Sequence, residues 1–232
     1  MIETHVTNPC LSFISSQLLS SEPRPFPDQA TYRAVTISRQ TGCGALVVAE
    51  KLAQYLQEHS PSAAPWTVLD RNLIDKVLED HNLPAYLAKF LPEDRVSQLE
   101  DFLSEIFGVH PPSRTIVMQT AETILKLAAV GHVILIGRGS SVVTARLPDV
   151  FHVRLVAPLE KRIEHAHKHY GMTKAEARRF CLTEDRGRVR YLKKHFAADI
   201  NDPLLYHMIL NTGQMGFDGA AKLIGEAVLY VS

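Results

Sequence analysis

The chain reads as an α/β domain: a five-stranded parallel sheet covered by helices on both faces, in three layers. Two observations predict it. Five short apolar segments, at 34–38, 66–69, 132–136, 149–156 and 208–210, are separated by stretches of helical periodicity. Strands that alternate with helices run parallel and are buried on both faces. The first segment also leads through a glycine-bearing turn into an amphipathic helix, the strand–turn–helix unit from which such sheets are built.

In chain order, residues 1–31 form an extension outside this pattern. Ser15, Ser16, Ser20 and Ser21 lead into Pro23, Pro25 and Pro27, a linker composition. Within it, Leu11 to Leu19 can form a short helix that docks on the body or on a second copy, a candidate homodimer contact. The main domain is expected over 32–232. The strand Ala34–Ser38 leads to a helix from Ala45 to Glu58, and the strand Trp66–Leu69 ends at Asp70. Helical patterning continues through Leu73, Ile74, Val77 and Leu78, then from Leu83 to Phe107, with Glu93 and Asp94 after Pro92 favouring a helix start. Pro111-Pro112 breaks the chain ahead of a helix over Ser113–Val130. The strand His132–Ile136 ends in Gly137-Arg138-Gly139-Ser140. After the strand Asp149–Val156, Pro158 opens a helix that Gly171 stops. Thr173 caps the next helix, with Glu176 three residues on as a capping box. A last strand, Met208–Leu210, precedes a helix from Phe217 to Tyr230.

Composition narrows the function. The 232 residues are 46% apolar, and 25 basic residues balance 25 acidic ones, so nothing favours nucleic acid or an anionic membrane. The longest strand-like apolar run is far too short to span a bilayer. No basic segment precedes an apolar core at the N-terminus, so a secretory signal is not expected. Cys10, Cys43 and Cys181 show neither disulfide nor metal spacing, which suits a reducing cytoplasm.

The segment Val35 to Ala53 has the layout of a phosphate-binding loop without its lysine. Gly42 and Gly44 permit close backbone approach, and the helix that follows aims its N–H groups and positive dipole end back at the turn. A Walker pattern ends in Gly-Lys-[Ser/Thr]. With its last glycine at Gly44, Arg39 stands at the first glycine, Ala45 at the lysine and Leu46 at the hydroxyl that binds magnesium.

Ligands of parallel sheets sit at the carboxyl ends of strands. Three such ends carry one arginine each: Arg39, Arg71 and Arg138. Phosphoryl transfer needs cations and N–H donors around the moving group more than covalent chemistry, and guanidinium forks match phosphate oxygens. The competing reading, that they are solvated or paired with Asp70 and Asp149, weakens when three share one sheet edge. Late in the chain, Glu184 to Lys194 is densely basic. On a helix Arg186, Arg190 and Lys193 share one face and Arg188 points elsewhere, so this is either a lid over phosphates or a solvated face. Asp199, Asn201 and Asp202 can orient those arginines or cap a turn. His165, His167 and His169 lack partners at ligand spacing. Cys43 is either a reactive thiol at a helix N-terminus or a small residue tolerated there.

Together these residues resemble the cytidylate kinase-like family, within the P-loop nucleoside monophosphate kinases. The matching pieces are Thr36 to Gln40 with Gly42-Cys-Gly44, Leu69 to Ile74, Val133 to Gly139, Val153 to Ile163, Asp185 to Arg188, Asp202 to Tyr206 and Ile209 to Thr212. The resemblance implies a P-loop nucleoside triphosphate hydrolase-like fold, an acceptor-binding helical insertion about 83–130 and a lid about 178–202. It implies ATP-dependent transfer of a phosphoryl group to a nucleoside monophosphate or similar small acceptor, with magnesium (Mg2+). Ser38, Arg39, Gln40, Thr41, Gly42, Cys43, Gly44, Ala45 and Leu46 would cradle the donor phosphates, with Arg186. Asp70, Arg71, Arg138 and Arg162 would lie toward the acceptor, and Arg39, Arg138 and Arg188 would carry the transfer. The chain departs from the family at Ala45 and Leu46, and at Gly139, where cytidylate kinases carry aspartate. No magnesium ligand set is legible. A nucleotide-binding regulatory protein that keeps the fold without turnover is the alternative, and an assembly protein acting through its N-terminal arm is a third reading.

Overall fold

In the computed structural model, the structure describes residues 32–60, 64–70, Leu99, Leu103, Ile106, Phe107 and 116–230. The N-terminal extension with its homodimer contact, Arg71, the helix at Leu73 to Leu78 and most of Leu83 to Phe107 lie outside the described residues.

The strands are β1 (Ala34–Arg39), β2 (Thr67–Leu69), β3 (Val133–Ile136), β4 (Val150–Val156) and β5 (Met208–Asn211). They pair in the order β2-β3-β1-β4-β5, every pair parallel. Ala34 lies beside Val133 and Val150, and Ile37 beside Ile136 and Val153. Side chains alternate across the sheet, and both faces are apolar. Val35, Ile37, Ile134, Ile136, Val153 and Leu155 meet one helical layer, made of α1 (Ala45–His59) and α6 (Thr212–Leu229). Ala34, Leu69, Val133, Leu135 and Val150 meet the other, led by α2 (Ile116–Val130). This is the three-layer sheet expected, and it places β1 at the centre with its carboxyl end opening between diverging connections, where ligands of such folds bind.

Between β3 and β4 runs the single turn α3 (Ser140–Val143), and between β4 and β5 run α4 (Leu159–Tyr170) and α5 (Lys174–Phe196). Gly171 ends α4 in the left-handed conformation. Thr173 and Glu176 form the reciprocal capping box that starts α5, as the spacing predicts. Two expectations change. α6 begins at Thr212 instead of Phe217, because the Asn211 side chain accepts from Gly213 N–H and caps an additional turn before the backbone break at Gly216. The expected insertion 83–130 includes α2, which is a core layer of the main domain: Ile124, Leu125, Leu127 and Ala128 are fully buried against the sheet. No described helix is long and apolar enough to cross a membrane.

Candidate functional site

The glycine loop between β1 and α1 is shaped by close contacts. Gly42 has φ +82°, and a Cβ there would lie 2.5 Å from the Arg162 carbonyl oxygen. Gly44 caps α1 in the left-handed conformation, and no side chain caps that helix. A Cβ on Gly44 would overlap the Phe217 ring. The loop therefore tolerates no side chain at either position, and it leaves the first N–H groups of α1 directed at the space in front of it.

An acidic clasp holds the loop from the side. Asp185, on α5, accepts at Oδ1 from the Thr41 N–H (2.7 Å) and hydroxyl (2.7 Å), and at Oδ2 from Arg162 Nη1 (2.6 Å). Arg162 is buried, and it also donates to the carbonyls of Thr41 (3.2 Å) and Ala157 (3.0 Å). Arg188 donates to Asp185 Oδ1 (3.3 Å), to Glu184 (3.5 Å) and to the Thr41 hydroxyl. Gln40 Oε1 accepts from Ala157 N–H (3.1 Å), and Thr212 donates to the Cys43 carbonyl (2.9 Å). The Cys43 thiol is buried, and burial pushes its pKa up to about 11 despite the nearby Arg39, Arg162 and Arg188. It is a protonated packing residue, not a reactive thiolate.

Beside the loop lies a cavity of about 270 Å³. β1 contributes Ser38 and Arg39, the turn after β3 contributes Gly137, Arg138 and Gly139, and α3 contributes Ser140 and Ser141. Across from them α5 presents Glu184, Gly187, Arg188, Tyr191 and Leu192, a spacing that forms one helical stripe. The Arg39 guanidinium lies across Gly137 so closely that a Cβ there would overlap it. Arg138 holds φ +55°, a conformation rare for residues other than glycine.

Arg39, Arg138 and Arg188 thus line one cavity. Ser38 and Arg39 belong to this cavity, whereas Gln40 to Leu46 form the adjoining loop. Leu46 is 43% exposed and offers no hydroxyl. Arg162 stands under the loop, with Nε and Nη1 bonded to protein oxygens. Arg186 is exposed with Arg190 and Lys193 on the outer face of α5; the solvated-face reading describes these three, and of the arginines in the run Arg188 lines the cavity. Asp70 is half-buried at the end of β2, outside the cavity lining. Asp199 and Asp202 cap turns, accepting from the N–H groups of Asn201 and Leu204. His165 and His169 stack on each other on α4.

Two residues escaped the sequence reading. Asp185 is visible there only as an acid three positions before Arg188. Arg154 is a cation inside the apolar strand Val150–Val156, and a charge in the interior of a parallel strand is itself a signal. It is buried and donates to Ser38 Oγ (2.9 Å) and Asn201 Oδ1 (3.1 Å).

The sheet order, the glycine loop at the end of the central strand and the arginine-lined cavity beside it define a nucleotide kinase-like fold. The chain belongs to the cytidylate kinase-like family, whose model matches residues 34–214. It is similar to a cytidylate kinase of Methanopyrus kandleri, 26% identical over 170 residues, covering 70% of this chain and 86% of that one. A uronate isomerase of Corynebacterium glutamicum is 29% identical over 108 residues; the match covers 47% of this chain and only 21% of that protein. Among solved structures, an uncharacterised protein from Eubacterium ventriosum shares the fold with a TM-score of 0.65 at 17% identity, covering 85% of this chain and 98% of that one.

Proposed function

We propose that this protein is an ATP-dependent kinase that transfers a phosphoryl group to a nucleoside monophosphate or similar small acceptor. One observation carries the reading: arginines from β1, the β3 turn and α5 line a single cavity beside the glycine loop. Spread negative charge on a phosphoryl group in transfer is what such an array stabilises. The residues present fit a nucleotide's phosphates. Gly42 and Gly44 leave a cradle that a Cβ would fill, and the uncapped α1 N-terminus supplies N–H donors. Gln40 to Leu46 would hold the donor phosphates, Arg39 would serve in place of the missing lysine, and Arg138 with Asp70 and Arg71 would face the acceptor. Magnesium, which the resemblance implies, would arrive on the phosphates. The inward stripe of α5 supports the reading of 178–202 as a lid. Buried thiols at Cys43 and Cys181 suit the cytoplasm as compartment.

Ala45 and Leu46 favour a second reading, a nucleotide-binding regulatory protein without turnover. Titration calorimetry with ATP and with each nucleoside monophosphate, followed by coupled ADP release over the same panel with and without magnesium, separates the two. The kinase reading expects magnesium-dependent ADP release with at least one acceptor. Nucleotide binding with no release for any acceptor establishes the second reading. No nucleotide binding at all sinks both.

A further inference from the structure

Arg154 is 5% exposed, and among the described residues its partners are uncharged: Ser38 Oγ, Asn201 Oδ1 and the ring of Tyr206, whose centroid lies 5.7 Å from the guanidinium carbon. A buried charge facing only neutral groups is expensive to keep, so its place in the core asks what anion it serves. The hydrogen bonds around Ser38 answer. Tyr206 donates its one hydroxyl proton to the Ile200 carbonyl (2.9 Å), an atom that can only accept. Its oxygen, 3.2 Å from Ser38 Oγ, therefore brings no proton to Ser38. Arg154 Nη1 donates to Ser38 Oγ at 2.9 Å. Ser38 Oγ is thus fixed from behind as an acceptor of Arg154, and its own proton can turn from the Tyr206 oxygen to an anion in the cavity that Ser38 lines.

We infer that Ser38 is a phosphate-contacting donor of the cavity and that Arg154 is its positioning residue, a fourth cation that acts on the bound anion through the serine hydroxyl. The assignment rests on the reading of the cavity as a phosphate site. Arg154 withdraws electron density from Ser38 Oγ and strengthens it as a donor, because a hydrogen bond accepted from a cation polarises the next one in the chain. Asn201 holds the second nitrogen of the guanidinium, so the fork cannot turn away from Ser38. The ligand class is a phosphate monoester, whose oxygens accept from a hydroxyl and from the cavity arginines together.

The test uses the full chain and three variants: Arg154→Met, which fills the same volume without charge, Ser38→Ala, and the two combined. Affinity for inorganic phosphate and for nucleoside monophosphates is read by calorimetry, and folding by Tm. Each single variant is expected to lose about tenfold in phosphate and monophosphate affinity, the size of a hydrogen bond to a charged group. Arg154→Met should keep or raise Tm, since an uncompensated charge leaves the core. The double variant should be no worse than either single one, because the two residues act as one unit. Unchanged phosphate affinity in Arg154→Met, or additive losses in the double variant, overturns the proposal. If Arg154→Met misfolds, Ser38→Ala with unchanged phosphate affinity still overturns it. If the wild-type protein binds phosphate but never releases ADP, the kinase reading fails and this one stands; if it releases ADP but binds neither inorganic phosphate nor a nucleoside monophosphate, this one falls and the kinase reading stands.

Discussion

The glycine loop and the cavity next to it sit at the same sheet edge, yet they treat charge in opposite ways. At the loop, Asp185 is shared among Thr41, Arg162 and Arg188, so cation and anion are matched within the protein and the effect is rigidity. In the cavity, three arginines line the wall against one glutamate, and Arg154 adds a buried cation behind Ser38. A loop that presents backbone N–H groups must be held in shape, because a moving donor array gains little on binding. In the kinase reading proposed above, the chamber is where cations would meet the charge of the phosphoryl group in transfer. Arg188 belongs to both regions: its guanidinium touches the Thr41 hydroxyl and the Asp185 carboxylate while its side chain lines the cavity. Through it, a change in the loop reaches the chamber.

Substitutions can break that contrast, the strongest first. Arg138→Gly removes a cavity cation from a position whose φ of +55° glycine adopts without the ~1–2 kcal/mol penalty. Activity with the best acceptor should fall about 10²–10³-fold while Tm stays level or rises; coupled ADP release and calorimetry read the two. Retained activity would move the reacting centre out of the cavity. Asp185→Asn acts on the loop. It leaves the buried Arg162 short of its counter-charge, and because the Asp185 side chain is 24% exposed, the cost is put at about 2 kcal/mol, below that of a fully buried pair. Chemical denaturation should show the loss, and adding Arg162→Met should recover most of it. If the double variant is no better than the single one, the clasp is not what holds the loop. The smallest effect belongs to the outer face of α5. Replacing Arg186, Arg190 and Lys193 with alanine should change stability by no more than about 0.5 kcal/mol per site and leave turnover within about twofold, as a solvated face predicts. A tenfold loss of activity would bring Arg186 back into donor binding.

Much of the frame is legible in the amino-acid order. β-branched and apolar runs separated by helical periods predict the parallel sheet, and Thr173 with Glu176 predicts the start of α5 from local hydrogen bonding alone. Arg39 and Arg138 can be placed at one edge because parallel strands end on the same side. The inward turn of Arg188 relative to Arg186 and Arg190 follows from helical spacing. What escapes has a common cause. Asp185 meets Thr41 across 144 positions and Arg154 meets Ser38 across 116, and no local rule pairs residues so far apart. The start of α6 at Thr212 is missed for a related reason: its first turn is steadied by a bond from Thr212 to the Cys43 carbonyl, in the loop at the other end of the chain.

The sequence by itself determined the layers of this protein, the glycine loop with no lysine, and the strand ends from which cations emerge, since each follows from periodicity, backbone freedom or strand polarity within a few residues. Only the tertiary structure decided which cations lie beneath the loop and which line the cavity. Arg162 and Arg188 carry the same charge and lie on adjacent helices. The fold buries the first among carbonyls and a carboxylate beneath the loop and turns the second into the chamber, because the field at a side chain is set by what packs around it.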